Sequence, residues 1–329
     1  MLVAHREGEL FRRASEGPDL VPLAPMNEID LAAAWRLSKI IRQWKPAIVH
    51  AHDPHAVSMA ALALSFGAPD PRPTTIASRR VDFHLQSHAF SQWKYRQMDA
   101  FIAASHAIKQ ILIEDRVAAD RIHVVHDGID VDKISHRPAI DLHAEYWLPH
   151  GVPVIVNVGA LVGHKGQRYL IDAMPLVLRE VPDAHLVIFG DGDLRAPLEK
   201  QIKQLNLGKR VLLPGFREDV LSLMKSADLF VMSSVTEGLG SAVLDAMAMG
   251  HAVVGTRAGG IPEAVVPDET GLLVEPADAK ALAEAIVTLL KDDGLRKQMG
   301  EAGRARVAEH FGVDHLVEGT LDAYRKVRR

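Results

Sequence analysis

The feature that most constrains this chain is a regular alternation in its second half. Short apolar runs at 154–158, 185–189, 211–213, 229–232, 252–255 and 271–274 are separated by stretches with helical spacing. One such stretch, 169–178, carries Leu170, Ile171, Met174, Val177 and Leu178 at that spacing. A polar helix runs through Leu205, and others are expected at 220–226, 241–249 and 279–290. Strands that alternate with helices build right-handed βαβ units on a parallel sheet. Runs that are apolar throughout belong to strands covered by helices on both faces. The second half therefore reads as a doubly wound α/β domain.

The first half repeats the theme. Strands are expected at 47–51, 74–78, 100–104 and 123–125, with helices at 31–44, 57–66 and 106–113 between them. Residues 130–153, with Pro138, Pro149, Gly151 and Pro153, read as the crossing between domains. The chain opens on what looks like a strand already ending, 2–4, followed by a helix at 9–14. An earlier strand, turn and helix, usual in a doubly wound domain, is expected to be absent.

A chain of 329 residues is too long for one ordinary core and suits two. Its 48% hydrophobic content can fill both, and its net charge of −4 gives no sign of bulk nucleic-acid binding. There is no cysteine, which excludes a disulfide scaffold and a thiolate metal site and fits a reducing cytoplasm. No apolar run reaches the roughly 18 residues of a membrane-spanning helix. Peripheral contact with the inner face of a membrane stays open.

Ligands of parallel α/β sheets bind at the carboxyl ends of the strands. The turn after the first strand of the second half contains Gly159, Ala160, Lys165 and Gly166. Glycines let backbone amides approach a phosphate, and the lysine beside them suits a departing diphosphate. The alternative is a flexible loop with a solvated lysine. The turn after the fourth strand holds Glu237, Gly238, Leu239, Gly240 and Ser241, then a helix containing Asp245. A carboxylate pair around a helix amino terminus suits a nucleotide sugar, because carboxylates bind vicinal hydroxyls and the helix start favours phosphate. The alternative is that Glu237 caps the helix and Asp245 is solvated. Gly190-Asp191-Gly192-Asp193 and Pro214-Gly215-Phe216-Arg217 line the same edge. Phe216 and Arg217 suit the wall of a base site. Asp191 and Asp193 read as turn residues more readily than as a metal pair. In the first half, His52 and the pair Arg79-Arg80 follow strands and are candidates for the cleft; a solvated charge pair is the competing reading.

These residues resemble family 4 of the retaining glycosyltransferases, whose members have the two-domain GT-B fold. The resemblance runs from about Lys45 to the carboxy terminus and is strongest over 154–274. Its most specific mark is Glu237 and Asp245, with seven residues between them across a glycine-rich turn and helix; the family usually has glutamate at both places. Lys165-Gly166 matches the family's diphosphate-binding turn. Gly259-Gly260-Ile261-Pro262-Glu263, Asp127-Gly128-Ile129-Asp130 and Gly190-Asp191-Gly192 match recurring stretches. There are three departures. Ala160 stands where many members have arginine, Arg79 stands where a histidine often follows the strand, and the family's first strand with its glycine-rich loop is not found.

The resemblance implies two Rossmann-like domains of GT-B architecture: 1–135 on the acceptor side, 150–311 binding the donor, and a final helix within 312–329 returning to the first domain. It implies Glu237, Lys165, Arg79 and His52 as catalytic candidates. Gly159, Gly190, Phe216, Arg217, Gly238, Leu239, Gly240, Ser241 and Asp245 would bind the donor. The resemblance also implies a nucleotide-diphosphate sugar as donor and a glycan or lipid-linked molecule as acceptor, with no cofactor and no metal. Two other readings stay open: a nucleotide-sugar-binding protein with little catalysis, and a nucleotide-sugar epimerase.

Overall fold

The computed structural model describes residues 1–14 and 19–327; the last two positions of the expected 312–329 segment lie outside them. β1 (Leu2–Ala4), α1 (Glu9–Arg13) and β2 (Leu20–Pro22) open the chain, and the two strands pair in parallel. α2 (Leu31–Trp44) starts at Asp30, whose carboxylate accepts from Ala33 N, and stops at left-handed Lys45. Then follow β3 (Ile48–Ala51), α3 (Pro54–Ser65), β4 (Thr74–Arg79), α4 (Ala89–Arg96), β5 (Ala100–Ala103), α5 (His106–Glu114) and β6 (Ile122–Val124).

The last four strands form a parallel sheet in the order β3-β4-β5-β6. Among the described residues it is not hydrogen-bonded to the β1–β2 pair. Both nevertheless lean on one core, since Val3 and Val49 pack against a cluster holding Ala34, Leu37, Ile41 and Met59.

Two elements here escape the periodicity, β2 and α4. Helix α3 also begins three residues before Val57, where the apolar pattern places its start. Asp53 accepts from His55 N and Ala56 N and Pro54 occupies the first turn, so capping rather than hydrophobicity sets this boundary.

The crossing is more structured than a linker. It contains α6 (Val131–Ser135) and α7 (Leu142–Glu145). Ile134, Leu142 and Leu148 are buried in a core of the second domain.

That domain runs β7 (Val154–Val158), α8 (Gln167–Glu180), β8 (His185–Phe189), α9 (Arg195–Gln204), β9 (Val211–Gly215), α10 (Val220–Met224) and β10 (Leu229–Met232). It continues α11 (Ser241–Ala248), β11 (Val253–Thr256), α12 (Ile261–Ala264), β12 (Gly271–Val274), α13 (Ala279–Lys291) and α14 (Asp293–His310). The sheet is parallel throughout, in the order β12-β11-β10-β7-β8-β9. Successive side chains serve opposite faces. Ile155 joins one core with Leu170, Met174 and Ile286, while Val154 and Val156 join another with Val243 and Met247. Each such buried aliphatic side chain is worth about 1.5–3 kcal/mol, which is why the strands read as unbroken apolar runs.

α15 (Val313–Val327) returns to the first domain, where Ala323 and Tyr324 pack with Ile76, Ile102 and Val125. Two parallel α/β domains thus face each other, tied by the crossing and by this helix.

Candidate active site

The strand order places a topological switch between β7 and β10. From β7 the chain moves outward to β8 and β9, whereas β10 to β12 lie on the other side. Loops leaving the carboxyl ends of neighbouring strands part at such a point and open a crevice. One of these loops carries Lys165 and the other Glu237.

The two loops are tied to each other. Val235 N donates to His164 O at 2.7 Å, and Ser233 Oγ donates to Lys165 O at 3.1 Å. Gly166 has φ +64°, and a Cβ there would lie 2.1 Å from Ser233 O. Only glycine permits this approach. Lys165 Nζ then lies 2.6 Å from Glu237 Oε2, and Ser234 Oγ donates to the same oxygen at 3.0 Å. Glu237 is 8% exposed, so its carboxylate has exchanged water for one cation and one hydroxyl. Gly240, at φ +88°, precedes α11, whose first residue is Ser241.

Neighbouring turns complete this rim. Gly159 N donates to Phe189 O at 2.9 Å and Gly190 N to Gly215 O at 3.0 Å, which fastens the turns after β7, β8 and β9 in series. The stem of Lys165 lies over Gly159. Phe216 projects from the turn after β9 with 74% of its surface exposed. Asp191 is a turn residue whose carboxylate accepts from Gly192 N. Among the described residues no cluster of His, Asp and Glu is arranged to hold a metal.

Asp245 sits on α11, half-buried. Burial pushes its carboxyl up to about 6, against the pull of the Arg137 guanidinium. Its burial therefore outweighs the one cation that acts on it, Arg137 from the crossing segment.

In the first domain, a cavity of about 240 Å³ opens between the sheet's carboxyl rim and α15. His50, His52, Ser78, Arg80 and Asp127 line its polar side. The rings of His50 and His52 are 4.1 Å apart, and Arg80 pairs with Asp127 at 3.2 Å. His50 bridges Ser78 Oγ at 2.8 Å and Tyr324 OH at 2.7 Å. Burial, reinforced by His52 and Arg80, drives His50 down to about 3, so it is neutral. The loop after β4 reaches the second domain: the Phe83 and His164 rings meet edge-on at 5.3 Å. A Cβ on Gly238 would lie 2.4 Å from Arg80 O.

Two expected residues are used otherwise. Arg79 is not brought to the cleft with Lys165 and Glu237. It is buried, and its guanidinium donates to Phe83 O, so it supports the loop that presents Arg80 and Phe83. Arg217 is committed to carboxylates, with Asp219 at 2.7 Å and Glu145 at 2.5 Å. It joins the turn after β9 to α7, and Phe216 alone is left free beside it as a wall for a base. Residues passed over in the sequence include Ser234, Arg137 and Glu263. Ser234 and Arg137 carried no local signal, because each is defined by a partner distant in sequence. Glu263 lay in a noted stretch.

Two facing parallel α/β domains, with a lysine–glutamate pair at the switch point of the second, have the GT-B architecture of glycosyltransferases. Sequence comparison specifies the family. Residues 140–306 match the family described as Glycosyl transferases group 1, and residues 1–133 match Glycosyltransferase Family 4. The chain belongs to this family and is a glycosyltransferase. It is 28% identical over 305 residues to N-acetyl-alpha-D-glucosaminyl L-malate synthase of Bacillus anthracis, covering 91% of this chain and 80% of that one. It is 33% identical to alpha-maltose-1-phosphate synthase of Mycolicibacterium smegmatis, covering 70% and 63% respectively. The fold matches a glycosyltransferase from Rickettsia africae with TM-score 0.83 and 22% identity, over 98% of this chain and 88% of that one. It also matches Anabaena Alr3699/HepE, solved with UDP and glucose, with TM-score 0.82 and 22% identity, over 98% and 90%. Among the described residues no helix is long and apolar enough to cross a membrane.

Proposed function

We propose that the chain is a retaining glycosyltransferase that moves a sugar from a nucleoside-diphosphate sugar to a glycan or lipid-linked acceptor. The observation that carries this reading is the Lys165–Glu237 pair, 2.6 Å apart, at the sheet's switch point. A lysine, close-packed glycines and the start of α11 suit a diphosphate. Glu237 suits the hydroxyls of the sugar, Asp245 those of the ribose, and exposed Phe216 the face of the base. The UDP and glucose bound to a structural neighbour support the same assignment.

In the reaction, positive charge grows on the anomeric carbon as negative charge grows on the leaving diphosphate. Lys165 and the backbone amides of 238–241 meet the negative charge, already oriented before reaction. Glu237 is bound to Lys165 and Ser234, so its role is to hold the sugar rather than to attack it. The acceptor hydroxyl arrives on the face the diphosphate leaves, and the departing phosphate oxygen takes its proton. This route retains the anomeric configuration and needs neither metal nor cofactor. Arg80, His52 and the adjoining cavity form the acceptor side.

The test is incubation with UDP-, GDP- and ADP-sugars and a panel of glycan and lipid-linked acceptors. Nucleoside diphosphate release is measured, and the product's configuration is read by proton NMR. An α product from an α-linked donor supports the reading; a β product overturns retention, and no release with any donor overturns the transfer.

A further inference from the structure

We propose that Glu263 is a positioning residue: it latches the second domain to the amino terminus of α5 in the first, and so seats the Glu237 loop against the acceptor-side wall. This deepens the transfer reading above and rests on it for its catalytic consequence.

The latch begins at the Glu237 loop itself. Gly259 has φ +51°, and a Cβ there would stand 1.8 Å from Glu237 O. Gly260 N donates to the same carbonyl at 3.1 Å. The start of α12 and the Glu237 loop therefore pack as one piece, with no room for a side chain between them. Arg306 fixes the main chain on the far side, donating to Glu263 O and Ala264 O at 2.8 Å each.

From this base the Glu263 carboxylate crosses to the other domain and spends both oxygens there. Oε2 accepts from His106 N at 2.9 Å, and Oε1 accepts from Ala107 N at 3.0 Å. His126 Nε2 adds a third contact at 2.8 Å. The first amides of a helix have no partner within the helix. In α5 they are divided between the domains: Ser105 Oγ, its own cap, takes Ile108 N at 3.1 Å, and Glu263 takes the two before it. The first turn of α5 thus has its full set of acceptors only when the domains are together. An acidic group at a helix start is also favoured by the helix dipole.

The same approach brings Gly238 under Arg80 O and Gly260 against Ser105. Opening the latch would part the Glu237 loop from the loop carrying Arg80 and Phe83. Glu263 spends its oxygens on α5 and His126, so its effect on the reaction passes through closure.

The chain has no cysteine, so two can be added for labelling. Nitroxides at Gln110→Cys and Lys200→Cys, one exposed position in each domain, report the interdomain distance by pulsed electron resonance. Glu263→Gln sets an amide donor against amide donors and should shift the distribution to longer distances. His126→Gln, altered from the other side of the contact, should shift it the same way and guards against a folding effect peculiar to one site. With the preferred donor, Glu263→Gln should lower kcat by about tenfold, the order expected for one lost charge–helix contact. The dissociation constant for the nucleoside diphosphate should stay within about twofold, because that site lies in one domain. An unchanged distance distribution overturns the latch, whether or not kcat falls. A longer distance in a protein that binds no nucleotide sustains the latch and overturns the transfer reading instead.

Discussion

Lys165 Nζ lies 2.6 Å from Glu237 Oε2, although the two residues stand on loops after different strands, 72 positions apart. The approach depends on Gly166 and on the backbone ties between the loops, so the pair is built into the sheet rim. In the free protein each residue neutralises the other. In the proposed reaction an arriving diphosphate gives Lys165 a stronger anion and releases Glu237 toward the sugar hydroxyls.

This pairing predicts a separation of stability from activity. Lys165→Met leaves the Glu237 carboxylate buried with one hydroxyl, which should cost about 1–3 kcal/mol of stability and lower kcat by about 10²–10³. Adding Glu237→Gln should restore most of the stability, since an uncharged amide needs no cation, but none of the activity. Urea titrations and donor turnover on the two single variants and the double variant measure this. Equal stability of Lys165→Met and wild type would show that the pair contributes nothing to the fold.

Asp245 predicts a pH effect. Its folded value is raised from 3.8 to about 6, so its contribution to stability is present below pH 3.8 and is lost as pH rises through 6. Asp245→Asn should therefore be more stable than wild type at pH 7, by about 1–3 kcal/mol, and no more stable near pH 3.5. Nucleotide binding should run the other way. In the proposed site ribose hydroxyls would donate to the ionised carboxylate, so wild-type affinity should rise between pH 5 and pH 7, roughly the span over which such a group ionises, while Asp245→Asn shows a weak, flat profile. Denaturation and titration across this range check both halves.

His50 carries the opposite sign. Its folded value is lowered from 6.5 to about 3, so the stability linked to it is present above 6.5 and drains away as pH falls toward 3. His50→Gln can still bridge Ser78 and Tyr324 but does not titrate. It should lose less stability than wild type between pH 6.5 and pH 4, a window set by this depressed value, as read from urea midpoints. Parallel curves for the two proteins would contradict a buried neutral His50.

Phe216 is 74% exposed and supports no core. Phe216→Ala should leave stability within about 0.5 kcal/mol and weaken nucleoside diphosphate binding by several-fold, as expected for about 1 kcal/mol of lost base stacking. Unweakened binding would place the base elsewhere.

The second domain was largely legible because its strands are buried on both faces. Residues 154–158, 229–232 and 271–274 need no context to read as β, and the structure forms them with those bounds. The final helix is also as expected, Val313–Val327. The first domain was harder. β2 is three residues long and ends in proline, too short for a period to show. α4 buries only Ser91, Lys94 and Tyr95, which no hydrophobic pattern would mark. The crossing is marked in the sequence by its prolines, but nothing local shows that Leu142 within it is wholly buried. In the site, the Lys165 and Glu237 turns were legible because glycine and charge fall together after strands. Arg79 and Arg80 were not separable, since adjacent residues on a strand end point to opposite sides. Nothing local to Arg217 shows that Glu145, 72 positions away, holds it together with Asp219.

In the proposed site Lys165 and Glu237 flank the diphosphate and sugar of a nucleotide-sugar donor. Calorimetric titration of UDP, GDP and ADP into wild type and Lys165→Met tests it without any acceptor. At least one nucleotide should bind wild type and bind the folded variant about tenfold or more weakly, as one lost charged contact implies. Equal affinity for both proteins, or no binding by wild type, would contradict it.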